Sequence, residues 1–256
     1  MCDSRVVVAA MACAAVTTAT AEASNGDKCA KKCDNQRPNV IFILLDDAGY
    51  GDFGCYGQTK IETPNIDALA ARGIRFTDMY AGAPVSAPSR CCLMTGLHSG
   101  HAQIRSNDEM LSRGDVWSID AMRTNPELEG QAPMAAGTTT VATVMRDAGY
   151  RTAMIGKWGL GGPNSKSTPI DMGFDYFYGY LCQRMAQCYY PPFLYNGLER
   201  EYTVNPRMNL GDKLDKGADP YDTASYKKFT GPTYSPDAIY NRIEQFVTNN
   251  ADEEFF

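Results

Sequence analysis

Three short segments carry residues able to bind or transform a charged substrate: Asp46-Asp47, Ser86-Ala87-Pro88-Ser89-Arg90 and Gly156-Lys157-Trp158. The paired aspartates are hard oxygen donors suited to calcium, and Gly49 and Gly51 let the following loop fold tightly around an ion. Ser86 offers a hydroxyl nucleophile; Arg90, four residues on, lies one turn along the same face of a helix starting there; Lys157 adds a compact positive charge. Each segment also has a plain structural reading. Adjacent acids mark solvated loops, Ser-x-Pro-Ser-Arg can be a turn running into a capped helix, and a lysine after glycine is commonly a surface residue.

The elements around these segments must decide between the two readings. The run Val40-Ile41-Phe42-Ile43-Leu44-Leu45 is too short for a helix and apolar on both faces, which predicts a central strand whose carboxyl edge presents Asp46 and Asp47. Thr63 and Pro64 pair a cap with a first-turn proline, Ile66, Leu69 and Ala70 form an apolar stripe, and Gly73 stops the helix. Ile74 to Thr77 reads as a returning strand. Thr138 to Ala148 repeats the helical pattern with Gly149 as its stop, and Arg151 to Ile155 is a second buried strand running into Gly156-Lys157-Trp158. Leu194 to Gly231 is polar and reads as an excursion at the sheet edge; Ser235-Pro236-Asp237 opens a helix through Val247. The order predicts an α/β fold, a mostly parallel central sheet sandwiched between helices.

Of 256 residues, 44% are hydrophobic and 21% charged, enough apolar content to bury a core and exclude disorder of the whole chain. A net charge of -6 without a basic run excludes an electrostatic footprint for nucleic acid, and no apolar stretch reaches the length of a transmembrane helix. Arg5 before the apolar run Val6 to Val16, with Ala-x-Ala sites ending at Ala21 and Ala23, reads as a signal peptide over 1–23 and predicts a secreted, periplasmic or lumenal protein. Cys13 is a poor lipidation site because Ala10 stands where a large aliphatic is usual. Residues 24–36 form a polar segment in which Cys29 and Cys33 could bridge each other or reach elsewhere; seven cysteines outside the leader leave an odd thiol. The ending Ala251 to Phe256 reads as a loop entering a new strand, so that 37–256 is expected to be a truncated catalytic domain.

The string Ser86 to Gly96, SAPSRCCLMTG, resembles the sulfatase signature of Cys or Ser, any residue, Pro, Ser, Arg, three residues, Leu or Met, Thr, Gly. Pro38-Asn39-Val40-Ile41 before Asp46-Asp47, Thr63-Pro64-Asn65-Ile66-Asp67 and Gly156-Lys157-Trp158 are similar to the companion motifs of the family, so the resemblance covers about Arg37 to Gln245. It implies the alkaline-phosphatase-like superfold and a formylglycine-dependent, arylsulfatase-like hydrolase of sulfate esters. By the resemblance Ser86 is oxidised to formylglycine, whose hydrated aldehyde attacks sulfur with one hydroxyl and expels sulfate with the other. Asp46, Asp47 and an oxygen of residue 86 would bind calcium, Arg90 would steady the metal and the diol, and Lys157 would contact the sulfate, with the amino end of the signature helix aimed at the anion. The implied partners are a sulfated small molecule or carbohydrate and a formylglycine-generating maturase that accepts serine.

The chain departs from the family at two places. Gly159 stands where Gly-Lys-Trp-His is common, although Gly156 to Gly161 resembles a Gly-Lys-Trp-Gly-Leu-Gly subgroup that also shares Gly173-Phe174-Asp175-Tyr176-Phe177 and Cys182-Gln183-Arg184. Gln187 occupies a histidine position of that subgroup and is expected to bind substrate, and the aromatic stretch Phe174 to Tyr190 either lines the cleft or builds a half-buried strand. His98 and His101 follow the signature helix and read as structural rather than catalytic. The competing functions are a phosphatase or phosphonate monoester hydrolase of the same superfold and a non-catalytic sulfatase-like anion-binding protein.

Overall fold

The computed structural model describes residues 6–11, 37–206, 210 and 212–256. Most of the expected leader and polar segment, including Cys29 and Cys33, lies outside the described residues. The chain divides into two compact units, one up to Ala81 together with Phe256 and the other from Gly82 to Phe255.

In the first unit, β1 (Val6–Met11) pairs in parallel with β2 (Asn39–Leu44), placing Val7 opposite Val40 and Ala10 opposite Ile43. The side chains of β2 are half-buried or exposed, Ile43 at 40%, rather than enclosed on both faces as its unbroken apolar sequence suggested. Helix α1 (Pro64–Arg72) starts where expected, with Pro64 in its first turn. Thr63 does not cap it through its side chain; its Oγ1 instead accepts from Gly54 N at 2.9 Å and donates to Asp67 Oδ1 at 3.0 Å. Ile74 to Phe76 is irregular, with Ile74 68% exposed, so the returning strand is not formed.

The second unit is built on a four-stranded sheet of order β3 (Ala153–Lys157), β4 (Tyr176–Tyr180), β5 (Phe193–Asn196), β6 (Glu199–Tyr202). β3 and β4 run parallel, and β5 and β6 add an antiparallel hairpin at the edge. Beyond β3, Arg151 bridges Phe255 in parallel and its N–H donates to Glu254 O at 2.8 Å, so the apolar ending begins to extend the sheet as its sequence predicted. The α/β class is therefore borne out, with parallel pairing in the β1–β2, β3–β4 and Arg151–Phe255 contacts. β3 and β4 approach closely where Gly156 faces Gly179, since a Cβ on Gly179 would lie 2.0 Å from Gly156 O.

Helix α3 (Val141–Asp147) is opened by a reciprocal Thr140–Thr143 capping box, and α2 (Ser86–Thr95) packs against it. Helix α4 (Ser235–Asn249) lies on β3 and β4, stacking Phe246 on Tyr176 and meeting Phe255 edge-on. The stretch assigned from sequence to a polar excursion begins in the core: Leu194 and Tyr195 of β5 are at most 2% exposed. The apolar run is short, follows Pro191-Pro192 and gives way at once to Asn196-Gly197, which hid a buried strand among polar neighbours.

Candidate active site

Ser86 is the first residue of α2, following the extended Val85. The signature sequence explains the helix. Pro88 in the first turn lacks a backbone N–H that would find no partner there, and Gly96 in the left-handed conformation (φ 67°) closes the last turn by donating to Cys92 O at 2.8 Å. Ala87, Pro88, Arg90, Cys91 and Cys92 are buried, while Ser86 is half-buried. Cys91 and Cys92 therefore pack the helix inward, and burial pushes the Cys92 thiol up. The five cysteines among the described residues, Cys55, Cys91, Cys92, Cys182 and Cys188, are all free thiols.

Lys157, the last residue of β3, donates from Nζ to Ser86 Oγ at 3.1 Å. Arg90 Nη1 donates to the main-chain oxygen of the same Lys157 at 2.6 Å. Three of the residues expected to share a site thus converge in the second unit, although 71 residues separate Ser86 from Lys157. The Lys157 end of the strand is firmly set: Trp158 is 1% exposed, donates Nε1–H to Ser167 O at 2.7 Å and meets Phe174 edge-on. The ladder with β4 continues past Lys157 through Trp158 N to Tyr180 O and Gly159 N to Leu181 O.

Asn107 is a site neighbour the sequence did not disclose. Its Oδ1 accepts from Ala87 N at 2.9 Å and so takes up a donor of the first turn of α2. With Pro88 contributing no N–H, the help this helix end gives an anion rests more on its dipole than on the row of donors expected. No feature at positions 86–90 points to a residue 20 positions away.

Behind the strand lies a buried polar network. Arg184, 1% exposed, pairs with Glu109 and donates to the carbonyls of Leu128 and Gly130, both at 3.1 Å. Glu129 is buried, accepting from Tyr195 Oη at 2.6 Å and Arg200 Nη2 at 2.8 Å. Burial raises the Glu129 carboxyl above its ordinary value, against the pull of Tyr195 and Arg200; burial would lower the Arg200 guanidinium, but Tyr195 and Glu129 hold it up. These groups brace the segment after Lys157, since Gln131 N donates to Gly161 O at 3.2 Å.

Asp46 and Asp47 belong to the first unit, on the turn that ends β2, both exposed, with Asp47 in the left-handed conformation (φ 55°). Their carboxylate oxygens have the chemistry of a calcium site, but two carboxylates are only part of the six to eight oxygens the ion takes. Among the described residues no cluster of three His, Cys, Asp or Glu side chains is gathered for a metal. Gln187 is exposed on the short turn Met185–Gln187, its N–H donating to Arg184 O at 3.1 Å. His98 Nδ1 accepts from Gly100 N at 3.1 Å within its own loop, and His101 is exposed, in keeping with structural roles.

A family model described as Sulfatase matches residues 38–256. The chain belongs to the sulfatase family. Among curated members of the sulfatase family, human steryl-sulfatase is 38% identical over 157 residues, 59% of this chain and 25% of that protein. An N-acetylgalactosamine-6-O-sulfatase of Bacteroides thetaiotaomicron is 38% identical over 152 residues, 56% of this chain and 26% of that one. The solved structure of BT4656 in complex with its substrate D-glucosamine-2-N,6-O-disulfate superposes with a TM-score of 0.58 at 26% identity, covering 86% of this chain and 33% of the other. The matches span about a quarter of the length of the curated relatives.

Proposed function

We propose that the protein is a sulfuric ester hydrolase that works through a formylglycine derived from Ser86 and a bound calcium ion. The contact of Lys157 Nζ with Ser86 Oγ carries this reading, because it sets a fixed positive charge at the oxygen that would meet the ester. Formylglycine, once formed, supplies a nucleophilic hydroxyl whose attack does not end in a stable sulfated serine. Lys157 balances the negative charge of the sulfate and orients residue 86; Arg90, through Lys157 O, ties α2 to the end of β3 so that both move as one. The dipole of α2 adds its positive end at residue 86. The calcium ligands in this reading are Asp46, Asp47 and an oxygen of residue 86.

The substrate class is a sulfated small molecule or carbohydrate, supported by the glucosamine disulfate of BT4656 and by the names of the steryl and N-acetylgalactosamine relatives. Gln187 is the substrate-contacting residue expected from sequence. A serine-oxidising maturase is the implied partner, and residues 1–23 would direct export to a secreted, periplasmic or lumenal site.

The test is the mass of the peptide containing residue 86 from the full-length protein, paired with turnover of an aryl sulfate. The expected result is a residue two hydrogens lighter than serine and repeated turnover. Unmodified serine with turnover of a phosphate monoester and none of the sulfate would place the protein with the phosphatases, and an anion bound without turnover of either would make it a binding protein.

A further inference from the structure

Asn107 is fixed by one hydrogen bond and otherwise open. Its Oδ1 accepts from Ala87 N at 2.9 Å, the next N–H in the chain after Ser86, so which end of the amide faces the helix is settled: a backbone donor must meet the oxygen. Nδ2 is left with its N–H donors unpartnered among the described residues, and the side chain is exposed. A ligand at residue 86 can meet these donors without opening the core.

The segment that follows is braced. Met110 occupies the left-handed region (φ 47°), a conformation that a non-glycine residue keeps where its surroundings enforce it. Here Asp108 Oδ1 accepts from Met110 N at 2.8 Å, Asp108 O accepts from Ala132 N at 3.3 Å, and Glu109 pairs with buried Arg184 and accepts from Gln131 Nε2 at 3.1 Å. Asn107 lies just before these anchors, so its amide is presented to the first turn of α2 from a held position rather than from a free loop.

Two side chains from separate parts of the chain therefore meet adjacent residues, the Lys157 ammonium at Ser86 Oγ at 3.1 Å and the Asn107 amide at Ala87 N. We propose that Asn107 is a further substrate-binding residue of the Ser86 site, donating from Nδ2 to an oxygen of the sulfate ester that Lys157 holds. This rests on the sulfate-ester reading above. A helix cap alone would be served as well by aspartate, whose charge suits the positive end of the α2 dipole. Asparagine also accepts from the helix, and it adds a neutral donor that neither repels the anion nor exchanges a proton with it.

Inorganic sulfate, titrated calorimetrically into the full-length protein, supplies a readout independent of turnover. Asn107→Ala is expected to raise the sulfate Kd about tenfold, the scale of one hydrogen bond to a charged group. Asn107→Asp, which keeps an acceptor for Ala87 N, is expected to hold the parental Tm yet bind sulfate more weakly than Asn107→Ala. Lys157→Ala serves as the reference for the anion site. If it weakens sulfate while Asn107→Ala stays within about twofold of the parent, Asn107 is a helix cap alone and the inference is overturned while the sulfate-ester reading stands. If neither Lys157→Ala nor Asn107→Ala affects sulfate binding, both fall. Should Asn107→Ala fail to fold, the side-chain amide protons of Asn107 in the parent, assigned by their absence from the spectrum of Asn107→Asp, decide the matter. A downfield shift on sulfate addition is expected, and an unmoved resonance overturns the inference.

Discussion

Arg90, a helix residue, and Lys157, a strand residue, are joined by a 2.6 Å hydrogen bond from the guanidinium of the first to the main-chain oxygen of the second. The bond fixes where the Lys157 side chain starts, and therefore where its ammonium can reach. Arg90→Lys replaces a planar fork by a single ammonium and is expected to lower kcat/KM about 100-fold, with a stability loss of about 1–3 kcal/mol from the disturbed buried polar contact. Steady-state kinetics and urea denaturation of the variant check both; parental kinetics would show that the bond does not position Lys157.

The tight Gly156–Gly179 crossing makes the sheet sensitive at the position just before Lys157. Gly179→Ala puts a Cβ 2.0 Å from Gly156 O in a backbone with φ 141°. The expected cost exceeds about 3 kcal/mol, since backbone rather than a mobile side chain must yield. Equilibrium unfolding of the variant gives the figure, and a loss below about 1 kcal/mol would mean that β3 and β4 part easily.

Glu129 gives a pH dependence of definite sign. Burial holds its carboxyl above the ordinary value, so the native state keeps this proton to higher pH than the unfolded chain does. The stabilisation it contributes is present in full below the unfolded pKa and is lost as pH rises through the folded one. The stability of the parent relative to Glu129→Gln should therefore decline as pH rises above the ordinary carboxyl range of about 4, followed by denaturant unfolding from acid to mildly alkaline pH. A rising difference would mean that Arg200 and Tyr195 outweigh burial. Glu129→Ala, which leaves Arg200 and Tyr195 facing an empty site, is expected to cost about 3–5 kcal/mol at neutral pH.

Much of this architecture was legible because local chemistry and tertiary need agree. Pro64, Gly73, Gly149 and Pro236 mark helix ends by what their backbones can and cannot do, and the helices begin or stop beside them. Ile74 to Thr77 misled because β-branched and aromatic residues favour a strand only when another strand is there to pair with them. At the site, Ser86, Arg90 and Lys157 were readable from spacing and motif, whereas Asn107 was not. Its part depends on the chain returning to the first turn of α2, and no periodicity records a return.

Calcium binding at Asp46 and Asp47 predicts a ligand-linked stability. Asp47 occupies the left-handed region (φ 55°), which asparagine also tolerates, so Asp47→Asn removes a charge at little conformational cost. In full-length protein the variant is expected to keep the parental Tm in chelator but to lose most of the Tm rise that calcium gives the parent. A parent whose Tm and turnover are the same in chelator and in calcium would remove the ion from the mechanism.

Ser86 provides the most direct test of the chemistry. Ser86 follows the N-cap position, held by Val85, and its Oγ receives the Lys157 ammonium at 3.1 Å. Ser86→Ala therefore forfeits about 0.5–1.5 kcal/mol of hydrogen bonding while leaving the helix start and the buried face of Ala87, Arg90 and Cys91 in place. Circular dichroism and Tm should stay close to the parent, and sulfate-ester turnover should vanish, because alanine offers no oxygen to a maturase or to sulfur. Ser86→Cys should be active only when made in a host whose maturase oxidises cysteine, since Cys91 and Cys92, inside α2 and buried, cannot stand in for it. Repeated turnover by a preparation whose residue 86 is an unmodified serine by mass would overturn the formylglycine mechanism, because a sulfated serine has no second hydroxyl with which to expel the sulfate.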